Sequence, residues 1–335
     1  LLQEGFGISG SDAHESALTG HLEEKGAEIF YGQRAGNIRD DVDLVVYTAA
    51  IHPDNPEYKE AQRRGIPMMS RAELLGQMMK NYHHAVAVAG THGKTTTTSM
   101  LTEILLAADQ NPTISVGGIL PSIGGNIRIG GQELFVTEAC EYTNSFLSFY
   151  PTIGVILNIE ADHLDFFKDL EDIRRSFRKF AERLPEDGLL ILDGGIARPE
   201  ELTQGLACRV VIVGHGVSGD YGVSNIVYDE LARPSFTLMK RGLPAGKICL
   251  GVPGEHNVYN ALAAIAAAEA LEVPMERIAA GLTGFAGTER RFEKKGTIGG
   301  VTIIDDYAHH PQEIAATLKA ARHYPHKRLW CVFQP

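Results

Sequence analysis

The chain has 335 residues, of which 44% are hydrophobic and 22% charged, and a net charge of −11 at neutral pH. That length is more than one ordinary core holds and predicts two or three domains. The acidic balance argues against a phosphate-backbone partner, which needs a basic stripe, so no nucleic acid is expected. Cys140, Cys208, Cys249 and Cys331 are scattered without a C-x-x-C pair, which argues against a disulfide framework and a structural zinc site and for a reducing cytoplasm. No apolar run approaches the roughly 20 residues of a membrane span, so no membrane partner is expected. Nothing in the pattern specifies an oligomeric state. The sequence opens on Leu1 and stops at Pro335 just after an apolar run, and both ends read as cut.

Residues 1–83 read as a small α/β unit. Strands are expected over Phe6–Asp12 (FGISGSD), over AEIFYG and, buried, over Asp43–Ala50 (DLVVYTAA). Asp12, at the end of an early strand, sits where a Rossmann-type unit reads a ribose, roughly 20 residues after its glycine turn. Alternatively, Ser11 and Asp12 cap the next helix. Arg71–His84 then reads as a helix.

The stretch Ala85–Met100 (AVAVAGTHGKTTTTSM) organises everything after it. Ala85–Ala89 reads as a buried strand that breaks at Gly90, and Gly93-Lys94-Thr95 opens a helix whose Met100, Leu101, Ile104, Leu105 and Ala108 recur on one face. A glycine turn feeding a helix N-terminus is an anion trap, because the first-turn N–H groups lack partners and the dipole is positive there. Lys94 adds a mobile cation, and the Thr95 hydroxyl is placed as a magnesium ligand. Val88 stands where the general phosphate-loop pattern has glycine.

Two glycine pairs follow, Gly117-Gly118 and Gly124-Gly125, marking either a loop near the nucleotide or a plain hairpin. Glu138 is expected at the carboxyl end of a buried strand (Leu134–Val136). A further strand, Ile153–Leu157, runs into Asn158, Glu160, Asp162, His163 and Asp165. Ligands of open parallel sheets bind outside the carboxyl ends of the strands, so these residues converge with Lys94 and Thr95. Glu138 suits a magnesium carboxylate. His163 reads either as part of a second metal site or as a capping or packed imidazole, and Asp162 and Asp165 as solvated caps. Ile173–Pro185 is an amphipathic helix whose arginines and lysine are expected on a solvated face; GLLILD and RVVIVG extend the sheet, and 220–250 reads as a β-rich insertion. In the alanine-rich helix Gly254–Leu271, Asn257 and Asn260 share one face of the first turn, where two amides beside His256 could read an adenine edge. An N-cap role would explain Asn257 alone. From 288 a third unit begins, with a strand VTIIDDY, a helix opened by Pro311, and a strand Leu329–Phe333. Asp305, Asp306, Tyr307, His309 and His310 lie at a strand's carboxyl end.

GTHGKTTTT, EACEYTNSF, NIEADHLD, HNVYNALAA, RRFE and DDYAHHP occur in an order that resembles the Mur ligases, the ATP-dependent amide-forming enzymes that build the peptidoglycan stem peptide. The resemblance spans nearly the whole chain. It implies an α/β architecture of three domains: a Rossmann-like UDP-substrate domain (1–83), a central phosphate-loop ATPase domain with a parallel sheet (84–287), and the start of a Rossmann-like C-terminal domain (288–335). It implies ATP and Mg²⁺ as cofactors. UDP-N-acetylmuramate and L-alanine are the implied substrates, because GTHGKTTTTSM, NIEADHLD and DDYAHHP look most like the alanine-adding branch. The rivals are ligation of a murein tripeptide to the same sugar nucleotide, a folylpolyglutamate-synthetase relative, and a nucleotide-binding fragment without turnover. Carried over by position, Lys94 binds the β/γ-phosphates within a loop of Gly90, Thr91, His92, Gly93, Lys94, Thr95 and Thr96. Thr95 and Glu138 hold a first magnesium, and His163 helps hold a second. Asn158 and His256 lie near the nucleotide, Asn257 and Asn260 face adenine, and Arg291 and Asp306 reach ATP. Tyr307 and His309 face the acyl-transfer site, and Ser11 and Asp12 match the uridine-side segment. Cys140 departs from the family's usual aspartate. No lysine stands clearly in the register of the family's carbamylated lysine, Lys168 and Lys179 fitting poorly.

Overall fold

A computed structural model describes residues 1–214 and 219–334. They form two compact units, Leu1–Leu75 and a second from Gly76 on.

In the first unit, β1 (Ser9–Asp12) leads through α1 (Ala17–Glu24) to β2 (Glu28–Tyr31). Likewise β3 (Val45–Tyr47) leads through α2 (Pro56–Arg64) to β4 (Met68–Ser70), and α3 (Arg71–Met79) follows. Both strand pairs are parallel, as helical crossovers require. The capping reading of Ser11 and Asp12 fails. Ser16 caps α1, accepting from the Thr19 N–H, while Ser11 Oγ donates to Glu57 at 2.6 Å and Asp12 accepts from the His14 N–H at 3.2 Å. The expected buried strand over 43–50 shrinks to three residues, with Val46 exposed, because β3 has one neighbour. The helix expected to reach His84 stops at Met79.

The second unit runs β5 (His84–Ala89), α4 (Lys94–Ala107), β6 (Thr113–Leu120), β7 (Gly125–Arg128), β8 (Leu134–Ala139) and β9 (Ile153–Ile156). Next come α5 (Leu170–Ala181), β10 (Leu189–Asp193), α6 (Glu200–Thr203), β11 (Arg209–Val213), β12 (Tyr221–Tyr228), β13 (Pro234–Lys240) and β14 (Leu243–Cys249). Then α7 (His256–Ala270), α8 (Met275–Gly284), β15 (Glu293–Ile298), β16 (Val301–Asp305) and α9 (Pro311–His323) complete it. One 10-stranded sheet has the order β14-β13-β12-β11-β10-β9-β5-β8-β6-β7. From β12 to β6 it is parallel, but β7, β13 and β14 join antiparallel, so the sheet is mixed rather than parallel. The turns between β12, β13 and β14 are too short for a crossover. Residues 220–250 are therefore the edge of this sheet and not a separate insertion.

β5 carries a continuous apolar run because helices cover both faces of a parallel sheet, and Ala85–Ala89 are fully buried. On α4, Met100, Leu101, Ile104 and Leu105 are fully buried, each worth roughly 1.5–3 kcal/mol. Helix α8 packs on α4 through Gly281, where a Cβ would lie 2.5 Å from Ile104 Cα and 2.7 Å from its nitrogen. Backbone cannot yield there. Gly281→Ala is expected to cost about 1–3 kcal/mol, read as a lowered urea midpoint; an unchanged midpoint would disprove that this contact sets the helix spacing.

Two further expectations change. Arg174 on α5 is buried, not solvated, because α6 folds over it: its guanidinium donates to Glu201 and to the Arg198 carbonyl, both at 3.0 Å. Leu329–Phe333 form no strand, and Trp330 and Val332 are 79% and 98% exposed. Among the described residues β15 and β16 pair only with each other, and that segment joins neither.

Candidate active site

β9, β5 and β8 are adjacent and parallel, so their carboxyl ends deliver three loops to one place. Gly90 has φ 142°, and a Cβ there would sit 3.0 Å from Leu157 Cβ; only glycine lets the phosphate loop turn against the end of β9. The loop is tied to the segment after β9 at two adjacent residues, Thr91 and His92. The Thr91 hydroxyl accepts from the Glu160 N–H at 3.0 Å, and Asn158 accepts from the His92 N–H at 2.7 Å while donating to the His92 carbonyl at 3.0 Å. Gly93 is the N-cap of α4 and offers no side-chain acceptor, so the first-turn N–H groups stay available to an anion. Lys94 Nζ is folded over the loop, donating to the carbonyls of Gly90 and Thr91 at 2.5 and 3.1 Å and to Glu141 at 2.9 Å.

Thr95 Oγ1 donates to Glu138 at 3.1 Å, and the Gly117 N–H donates to the other Glu138 oxygen. A Cβ on Gly117 would lie 2.9 Å from that carboxylate, so the glycine is the wall of its cradle. Burial pushes the Glu138 carboxyl up, and the Gly117 N–H, the Thr95 hydroxyl and the Lys94 charge only partly offset it. A desolvated carboxylate beside a hydroxyl is an all-oxygen donor pair that suits Mg²⁺. The first glycine pair thus lies at the site, while β6 and β7 also form the hairpin that was the alternative reading.

After β9, His163 takes a positive φ of 51° and its ring packs on Tyr142 at 4.5 Å. Its Nε2 stands 3.8 Å from Asp162 and 4.0 Å from Glu141, so the imidazole is both packed and turned toward carboxylates. Asp162 accepts from the His163 N–H at 2.7 Å and Asp165 from the Tyr142 hydroxyl at 2.8 Å. At α7, Glu255 and not Asn257 is the N-cap. Asn257 donates to the Pro253 carbonyl at 2.7 Å and accepts from Asn260 at 3.0 Å, both side chains buried. A Cβ on Gly93 would meet Asn260 Oδ1 at 2.5 Å, so the phosphate loop touches the asparagine pair because that residue is glycine. His256 opens on the cavity, yet the crowding around it lowers its pKa and Asp306 only partly opposes that.

The segment from Arg291 to α9 lines one side of the cavity. Asp306 is committed to its own chain, accepting from the Phe292 and Ala308 N–H groups, each at 2.8 Å. Arg291 lies 5.4 Å from the Tyr307 ring, and the His309 ring bonds the Tyr307 carbonyl at 3.1 Å. His92 bridges back to this segment: Nε2 lies 3.2 Å from Glu160 and Nδ1 3.2 Å from Glu313. His92, Glu160 and His310 also present ligand atoms within 4.8 Å of one another. With both ring nitrogens facing carboxylates, the arrangement is that of a charged imidazolium rather than a metal ligand.

The resulting cavity of about 820 Å³ is large enough for a nucleotide. Thr91, His92, Gly93, Lys94, Thr95, Thr96, Glu138, Asn158, His163, His256, Asn257, Asn260, Arg291, Asp306, Tyr307 and His309 all line it, whereas Gly90 shapes the loop from behind. Ser11 and Asp12 belong to the other compact unit. Sequence reasoning missed Glu141, only 2% exposed against Lys94, and Glu313, and it placed Glu160 at the site without its His92 partner. Glu141 carried a signal in EACE, one turn of chain past Glu138. Glu313, three residues after the His310 N-cap, matched a capping box but showed nothing of its second partner.

Three family models cover the chain: one described as the Mur ligase family catalytic domain over 1–83, the Mur ligase middle domain over 88–268, and the Mur ligase glutamate ligase domain over 290–335. A protein of Lachnospira eligens named UDP-N-acetylmuramate–L-alanine ligase is 61% identical over 336 residues, spanning 100% of this chain and 73% of that protein. The chain belongs to the Mur ligase family. Among solved structures, the Mur ligase MurC of Thermotoga maritima, a UDP-N-acetylmuramate-alanine ligase, superposes with a TM-score of 0.82 at 31% identity, over 96% of this chain and 73% of that one. The UDP-N-acetylmuramate:L-alanyl-γ-D-glutamyl-meso-diaminopimelate ligase of Neisseria meningitides gives 0.78 at 28% identity, over 86% and 93%. Cys140 is a free, exposed cysteine next to Glu141 in the chain.

Proposed function

We infer that this Mur ligase joins L-alanine to UDP-N-acetylmuramate at the expense of ATP, in peptidoglycan synthesis. The observation that carries the reading is the 61% identity, over the full chain, to a relative named for that reaction. The cavity built on Lys94, Glu138 and the α4 N-terminus supports it. For the division into domains at 83/84 and 287/288, the support is a family match that ends at 83 and another that begins at 290, with the middle match running over 88–268 between them. No helix among the described residues is long and apolar enough to cross a membrane; we place the protein in the cytoplasm, where its nucleotide substrates are.

In the proposed chemistry the muramoyl lactyl carboxylate attacks the γ-phosphorus of ATP, forming an acyl phosphate as the bond to ADP breaks. The alanine amine then attacks the acyl carbon, losing a proton as phosphate leaves with the C–O electrons. Lys94 and the uncapped α4 N–H groups offset the charge on the transferring phosphoryl group. Mg²⁺, when bound by Thr95 and Glu138 with His163 at a second position, supplies further charge neutralisation there. Asn257 and Asn260 orient the base, His256 stays neutral near the nucleotide, and Tyr307 and His309 face the acyl carbon. Closure by the Arg291–α9 segment keeps water from the acyl phosphate. The test is product analysis with UDP-N-acetylmuramate, ATP and L-alanine, murein tripeptide or glutamate. Alanine-dependent phosphate release with an alanyl product is expected; a preference for tripeptide would overturn the assignment.

A further inference from the structure

Glu313 belongs to none of the motif roles above, yet three segments of the site meet at its carboxylate. Oε2 accepts from the His309 and His310 N–H groups at 3.3 and 3.5 Å, which is the capping-box half of α9. Oε1 faces away from the helix. It lies 3.2 Å from His92 Nδ1 in the phosphate loop and 3.9 Å from the Arg291 guanidinium. The His92 ring also packs on His310 at 4.5 Å, so loop and helix touch twice. A capping box needs one acceptor oxygen and no charge, which leaves the second oxygen's two cationic partners unexplained by helix initiation.

We propose that Glu313 is a positioning residue that grips His92 and Arg291 through Oε1 and so holds the phosphate loop in register with the segment carrying Asp306, Tyr307 and His309. The proposal deepens the ATP-site reading and rests on it. The groups facing His92 are Glu160, Glu313 and His310, with Arg291 behind Glu313. Burial would push the Glu313 carboxyl up, but His92, the His309 N–H and Arg291 outweigh it and hold it at about 2. Burial likewise lowers the His92 imidazolium, and Glu313 and Glu160 outweigh it, leaving a raised pKa. The charged contact therefore persists from above about 2 and is lost as pH rises through the raised value of His92.

Glu313→Gln separates the two jobs of the carboxylate, since the amide oxygen still serves the cap while its NH₂ cannot accept from His92. Two readouts are needed: the His92 ring titration by NMR, assigned with His92→Gln, and steady-state kinetics against ATP. In the glutamine variant the His92 titration is expected to fall toward an ordinary imidazole. KM for ATP is expected to rise by about tenfold with a smaller change in kcat, and the thermal midpoint to stay near the parent's. Glu313→Ala should lose the midpoint as well, and Glu313→Asp should restore part of the titration shift. Unchanged His92 titration and unchanged KM in Glu313→Gln would overturn the proposal and leave a plain cap. A parent protein without ATP turnover would instead sink the functional reading, while the titration would still decide the contact.

Discussion

Replacing Lys94 by alanine is expected to lower kcat/KM for ATP by about 100- to 1,000-fold, the scale on which a single preorganised transition-state donor is worth losing. The physical reason lies in what its ammonium touches. It holds the Gly90 and Thr91 carbonyls and pairs with Glu141, so the cation is stored over the loop proposed to receive the phosphates. Removing it takes away the mobile charge and also strands a carboxylate that is 2% exposed. Glu141→Gln distinguishes the two effects, since it leaves Lys94 its two carbonyls and removes only the stored ion pair. The measurement is initial-rate phosphate release, with circular dichroism as a check that the variant folds. An alanine variant within about threefold of the parent would refute Lys94 as a phosphate ligand.

Glu138→Gln should be comparably severe, with a loss of about 100-fold or more, and it should carry a different signature. If Glu138 and Thr95 hold magnesium, the variant needs more Mg²⁺ for half-maximal rate. The carboxylate must be ionised to bind a cation, and burial raises its pKa above the ordinary 4.5. At limiting Mg²⁺, activity in the parent therefore falls as pH drops through that raised value, and the glutamine variant lacks this acid limb. Magnesium titrations and pH–rate profiles of the two proteins check both points. An unchanged magnesium requirement in the variant would remove Glu138 from the metal.

The central unit was legible in the sequence because its signals are local. Ala85–Ala89 reads as a buried strand because the run is short and breaks at a glycine, Gly90 and Gly93 take positive φ, and the four apolar residues of α4 repeat on one face. Glu138, Asn158 and His163 were found by placing polar residues at strand carboxyl ends, a rule that needs strand order only to be parallel. Where the reading failed, the missing information was tertiary. Arg174 looks like any charged residue of an amphipathic helix until α6 covers it, and Leu329–Phe333 is apolar enough for a strand but pairs with none among the described residues. The antiparallel edge was misread because short hairpins and an inserted subdomain share one pattern.

By itself, then, the sequence determined the chemistry available: a glycine turn before Lys94 and Thr95, carboxylates and imidazoles at strand ends, two asparagines one helical turn apart. Those are properties of spacing, which backbone periodicity converts directly into position. Only the tertiary structure decided the partners. It set Glu141 against Lys94, made Gly117 the wall beside Glu138, let Gly93 admit Asn260, and brought Glu313 across more than two hundred residues of chain to His92. Such contacts depend on how separate elements pack, and no local periodicity encodes which side chain from a distant helix will fill the space a glycine leaves open.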